Sequence, residues 1–151
     1  MVYDFKVKGL YDVSPQTVGE EFERIIEDSG ELTPTAVVDK SRPEDAPLHK
    51  VFEWRDDVAA EKWRENQAQK LIHNVTIVCQ KQEEEPVQVR AFVHVQKDYK
   101  PIQIVLSDDD MRKELLRNAY RELTSFKTKY QTLSELSPLM LAIDTVIGET
   151  A

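Results

Sequence analysis

The feature that most constrains this chain is a double change in the spacing of its apolar residues. Up to Ile72 they recur every three or four residues, from Val75 to Val95 they alternate, and beyond Ser107 they return to helical spacing. Helices repeat every 3.6 residues and strands every two, so the chain must build a helical region, a β region and a second helical region in that order. This predicts an α+β fold with a helical N-terminal half, an antiparallel β-hairpin or small sheet, and C-terminal helices. With 151 residues, 40% of them hydrophobic, the chain suits a single domain over 1–151 around one core.

The local signals are specific. Tyr3–Lys8 alternates loosely, as a short strand or as part of a mobile terminus over 1–14. Ser14–Pro15 is an N-cap with proline at the first helical position, Val18, Phe22, Ile25 and Ile26 follow at helical spacing, and Ser29–Gly30 stops the helix. Thr33–Pro34 repeats the start signal for a short helix through Val38, which Pro43 and Pro47 end. Leu48–Trp54 reads as one helical turn and its exit, burying Leu48, Phe52 and Trp54, with His49 as a local hydrogen-bonding residue. Asp56 or Asp57 is then expected to cap a helix to about Ile72, with Ala60, Trp63, Gln67 and Leu71 on one face and Ala68 and Ile72 beside it.

"NVTIVCQ" and "VQVRAFVHV" flank the polar "KQEEEP", which predicts an antiparallel hairpin. Val75, Ile77 and Cys79 would share one side of it, and Val87, Val89, Ala91, Val93 and Val95 one side of its partner. Lys100–Leu106 is a third short strand or an extended connection. Ser107 with Asp110 resembles a capping box for a helix to about Tyr130 through Met111, Leu115, Ala119, Leu123 and Phe126, with Lys127 and Lys129 at its negative end. Pro138 opens a last helix, so that 132–151 forms a helical segment that either caps the core or makes an interface.

"LTPTAVV" at Leu32–Val38, "PLHKVFEW" at Pro47–Trp54, "DDVAAEKWRENQAQKLI" at Asp56–Ile72 and "QVRAFV" at Gln88–Val93 together resemble a group of small bacteriophage and prophage proteins, from about Val18 to Leu136. The chain departs from that pattern at Ala46 (serine in the group), Arg55 (aspartate), Trp63 (tyrosine) and Gln69 (arginine). The resemblance implies a phage or mobile-element setting. It assigns no catalytic or binding residue.

Chemistry-bearing motifs are sparse. Cys79 is the sole cysteine, which excludes an internal disulfide and a four-cysteine zinc site, and its strand parity predicts a buried, inert thiol. His49, His73 and His94 are scattered, and Asp56–Asp57 and Asp108–Asp110 stand where helix caps are expected. With 4 glycines and no glycine-rich phosphate loop, a nucleotide cradle is not expected. The reading is a non-enzymatic protein without metal or cofactor. The lack of an apolar signal region or spanning segment points to the cytoplasm of a bacterial host and to no membrane partner.

The net charge of −8 opposes non-specific binding to nucleic acid. Two local surfaces nevertheless suggest DNA as a partner. The helices at Val18–Asp28, Pro34–Lys40 and Leu48–Phe52, followed by a hairpin, resemble a winged helix-turn-helix in outline, with Lys40, Arg42 and Lys50 on its surface. Arg90 and the stripe Lys113, Arg117 and Arg121 form the more basic surface, in a region Pro86–Tyr130 with 9 Lys and Arg against 6 Asp and Glu. The first expectation is therefore a phage-type accessory protein associated with DNA. The alternative is a protein-binding adaptor or inhibitor acting on a host or phage protein, with Leu139, Met140, Ile143, Val146 and Ile147 as interface residues and a homodimer as the expected state. An acidic DNA mimic ranks third.

Overall fold

A computed structural model describes residues 1–56, 60–80 and 85–148, and these form an α+β fold. The chain divides into two compact units, Met1–Val105 and Leu106–Ala151. The first contains β1 (Tyr3–Phe5), α1 (Pro15–Ser29), α2 (Pro34–Ser41), a 3-10 turn at His49–Val51, α3 (Glu61–Asn74), β2 (Val75–Cys79), β3 (Val87–Arg90), β4 (Phe92–Val95) and β5 (Asp98–Pro101). A short α4 (Ile102–Ser107) crosses the boundary, and the second unit holds α5 (Asp109–Tyr130), a 3-10 turn at Ser134–Leu136 and α6 (Ser137–Gly148).

The helix starts follow local chemistry. Ser14 Oγ accepts from Thr17 N at 3.0 Å and Thr33 Oγ1 from Ala36 N at 3.1 Å, each ahead of a proline at the first helical position. Gly30 takes the left-handed conformation at φ 78° and donates to Ile26 O, closing α1. Asp108, one residue beyond the expected Ser107, caps α5 by accepting from Met111 N at 2.9 Å.

α3 departs from expectation at its start and in its buried face. It begins at Glu61 without a side-chain cap, and Asp56 instead pairs with Arg64 at 2.9 Å; Asp57 lies outside the described residues. The buried face is Arg64, Ala68, Leu71 and Ile72, while Trp63 is 49% exposed. Arg64 accounts for the rotation. Its guanidinium donates to Glu53 O at 3.0 Å, pairs with Glu61 and Asp56, and stacks 5.3 Å from the Trp54 ring. A satisfied cation with a long aliphatic stem can fill a core position that apolar spacing would give to Trp63.

β2 is central to an antiparallel sheet of order β1–β2–β3, with Tyr3 opposite Ile77 and Thr76 opposite Arg90. The expected hairpin is therefore present, although 81–84 of its acidic loop lie outside the described residues. Cys79 is exposed rather than buried. The register explains this: the β1–β2 pairing runs to Ile77, with Val78 N still donating to Val2 O, so Cys79 pairs with β3 alone, opposite Val87, which is itself exposed.

The single alternating run Val87–Val95 serves two sheets. At Ala91 the chain leaves β3, donating to Val75 O and accepting from Ile102 N, and β4 then pairs with β5. Phe92 and Val93 are buried on successive positions, which strict alternation does not allow. The expected third strand at Lys100–Leu106 is instead Asp98–Pro101, followed at once by α4. The tight turn that returns it places Gln96 at φ 59°.

The core lies in the first unit. Phe92 meets Phe22 edge-to-face at 5.4 Å and stacks with Tyr3 at 6.0 Å, and Leu32, Leu48, Leu71 and Ile72 close around them. Each such side chain contributes about 1.5–3 kcal/mol through burial. β1 is fastened to α1: Gln16 Oε1 accepts from Tyr3 N at 3.1 Å, Tyr3 hydroxyl donates to Glu23 at 2.5 Å, and the Tyr3 ring lies over Gly19, where a Cβ would come within 2.2 Å of it.

Candidate functional site

The segment that resembled a helix-turn-helix contributes no free cations. Lys40 pairs with Asp28 at 3.1 Å, Arg42 with Asp39 at 3.2 Å and with Glu61, and Lys50 with Asp12 at 3.7 Å. Hydrogen bonding from Arg42 is the main reason that the Glu61 carboxyl sits below its usual range. The third helix of that outline is a single 3-10 turn of three residues, too short to lie along a groove. His49 is a structural residue here. Its Nδ1 lies 3.0 Å from Ser41 O, its ring stacks on Trp54 at 5.0 Å, and Trp54 Nε1 donates to its carbonyl.

Arg90 lies elsewhere on the first unit. It lines a cleft of about 370 Å³ with Lys6, His73, Thr76 and Gln88. Three strands and the end of α3 build this cleft, because Asp4, Thr76 and Arg90 are direct cross-strand neighbours and His73 precedes β2 by two residues. His73 Nε2 is 3.0 Å from the Tyr99 hydroxyl, which Gln69 also approaches at 3.4 Å. Burial, then the charges of Arg90 and His94, hold the His73 imidazole below its ordinary value. Lys6 escaped the sequence reading because only the β1–β2–β3 register brings residues 6 and 90 together.

The second unit is a helical hairpin with little buried surface. α5 has 22 residues and none of them is buried. Leu116, Ala119, Leu123, Phe126 and Tyr130 follow one another at spacings of three and four, the seam of a helix that pairs with another helix. α6 is largely apolar, with Asp144 as the one charged residue among Ser137–Gly148. Met140 and Ile143 are buried, Ile147 is half-buried, and Leu139 and Val146 are exposed, so the expected interface set covers more than one face. Leu141, outside that set, is the most exposed of the large apolar residues among the described residues at 69%. Its position opposite the Met140–Ile143 stripe hid it from an amphipathic reading.

A pair between Lys127 and Asp144 fastens α6 to the C-terminal part of α5. Twelve residues run back about 18 Å along a helix of about 33 Å, so α6 cannot follow the N-terminal part of α5. Lys113, Arg117 and Arg121 form the expected exposed stripe; Arg121 bonds Asn118, and Lys113 and Arg117 make no ion pair among the described residues. Among the described residues no helix is long and apolar enough to cross a membrane. No family model, curated protein or solved structure matches this chain.

Proposed function

We propose that this protein is a non-catalytic accessory protein that works by protein–protein association, its α5–α6 hairpin pairing with that of a second copy. The observation that carries this reading is α6, largely apolar yet with Leu139, Leu141 and Val146 exposed. A helix of that composition is more stable in water when its apolar surface is covered. A hairpin with so few buried side chains gains its missing core by joining a second one into a four-helix bundle.

Charge and length favour an antiparallel pair of α5 helices. Asp108, Asp109 and Asp110 stand at one end of α5 and Lys127 and Lys129 at the other, so a two-fold axis brings opposite charges together at both ends. The same axis lays each α6 beside the uncovered N-terminal part of the partner's α5, where Leu116 is exposed. The dimer would present two copies of the first unit, in keeping with an adaptor in a phage or prophage setting. Sedimentation velocity at micromolar concentration should report a dimer, and Leu141→Glu with Val146→Glu should give a folded monomer. A wild-type chain that sediments as a monomer at 100 µM (on the order of the weakest useful self-affinity) overturns the reading.

A nucleic-acid reading is favoured separately by Lys113 and Arg117, exposed and without an ion pair among the described residues. It predicts salt-sensitive binding of duplex DNA in fluorescence anisotropy, lost in a Lys113→Glu, Arg117→Glu, Arg121→Glu variant. Absence of binding at low salt removes it.

A further inference from the structure

We infer that the cleft between Lys6, His73 and Arg90 is a binding site for a small phosphate-type oxyanion. The association reading above does not depend on it, since the cleft belongs wholly to the first unit. In a chain of net charge −8, two exposed cations meet here without forming an ion pair among the described residues. What sets this pair apart is that both cations line one cleft, whereas Lys40, Arg42 and Lys50 are each neutralised by a carboxylate. Asp4, the acid beside the cleft on this sheet face among the described residues, is already engaged: it accepts from Phe5 N at 2.8 Å and from Gln88 Nε2 at 2.6 Å, and pairs with Lys8 at 3.4 Å.

His73 lines the same cleft. Its Nε2 and the Tyr99 hydroxyl share a hydrogen bond in which either atom can donate, because the hydroxyl oxygen can accept from both Gln69 Nε2 and His73. In the tautomer that accepts on Nε2, Nδ1 carries a hydrogen that has no partner among the described residues. Gln88 keeps its second amide hydrogen, whereas the Thr76 hydroxyl is spent on Asp4 O. Among the described residues the cleft thus offers two cations, the His73 ring and an amide N–H, with the Asp4 carboxylate already engaged. That donor set fits a tetrahedral oxyanion. The charges facing His73 are Arg90 and His94, both of which disfavour imidazolium, and a bound dianion would reverse that field.

A volume of about 370 Å³ has room for a phosphate group or a small phosphomonoester, and the residues that line it, Lys6, His73, Thr76, Gln88 and Arg90, all carry polar groups. A long polyanion would have to approach a protein of net charge −8, which favours a small ligand over nucleic acid.

The test is an NMR titration of the full chain with inorganic phosphate, sodium chloride at matched ionic strength, and a short single-stranded DNA, following the His73 imidazole and backbone amides. Phosphate should shift resonances of Lys6, His73, Gln88 and Arg90 saturably and raise the pH at which His73 titrates, while chloride should do neither. Arg90→Gln and Lys6→Gln, both exposed positions, should each weaken phosphate binding by about tenfold with the amide spectrum otherwise retained. Equal responses to phosphate and chloride would reduce the effect to screening and overturn the site. So would saturable binding of the DNA without binding of phosphate, which would move the cleft to a nucleic-acid surface.

Discussion

The two units of this protein solve the burial problem differently. In Met1–Val105, side chains from three helices and five strands converge on Phe22 and Phe92, and Leu32, Leu48, Leu71 and Ile72 have no exposed surface. In Leu106–Ala151, two helices keep just Met140 and Ile143 below a tenth exposed, among the described residues, while Leu116, Leu139, Leu141 and Val146 stay open. Both regions carry good apolar periodicity. Periodicity selects a helix, but a third layer is needed before an apolar face is covered. The difference separates a region whose apolar side chains are enclosed from one that leaves apolar side chains exposed.

That contrast breaks first on a pair of truncations. Phe92→Ala should lower unfolding free energy by about 3–5 kcal/mol, because it empties a site enclosed by Phe22 and Tyr3. Leu141→Ala, at a position 69% exposed, should change monomer stability by less than about 0.5 kcal/mol while weakening self-association. Urea denaturation with sedimentation distinguishes the two, and equal stability losses would contradict the division into enclosed and exposed regions.

Next in size, Gly19→Ala should cost about 1–3 kcal/mol by driving a methyl group into the Tyr3 ring. Removing the ring with Tyr3→Ala in the same chain should make the Gly19→Ala step close to neutral. A thermal-shift cycle over the four proteins reads this coupling, and additive losses would place the strain elsewhere.

The His73 environment gives a smaller, pH-dependent effect confined to the first unit. Burial is the main cause of its lowered value, so the folded state releases the proton more readily than the unfolded chain, whose value is about 6.5. Between those two values the unfolded chain holds more protons. His73's contribution is therefore full above about pH 6.5 and is lost as pH falls through the folded value. Urea midpoints in chloride buffer should fall over this window, and His73→Gln should flatten the slope. A slope that survives the substitution would assign it to other groups.

A further small effect concerns the β4–β5 turn. Gln96 holds φ 59° where glycine is free of strain, so Gln96→Gly should stabilise by about 0.5–1 kcal/mol. A loss of stability would mean that the Gln96 side chain contributes more than its backbone costs.

The sequence by itself determined the α+β class, the caps at Ser14, Thr33 and Gly30, the antiparallel hairpin and the end of α5 near Tyr130. These depend on neighbours within a turn or a hairpin, where residue type acts directly on φ, ψ and the unpaired backbone groups. Tertiary structure decided what local pattern could not. Arg64 displaced Trp63 from the core because Glu53, Trp54, Asp56 and Glu61 surround its guanidinium. Ala91 split one alternating run between two sheets, with Ile102 bonded across the break. Cys79 became exposed because the β1–β2 pairing stops short of it, and Lys6 met Arg90 through β2, 84 positions apart in the chain. Each of these turns on partners distant in sequence, and the register and packing that join them arise only when the elements assemble.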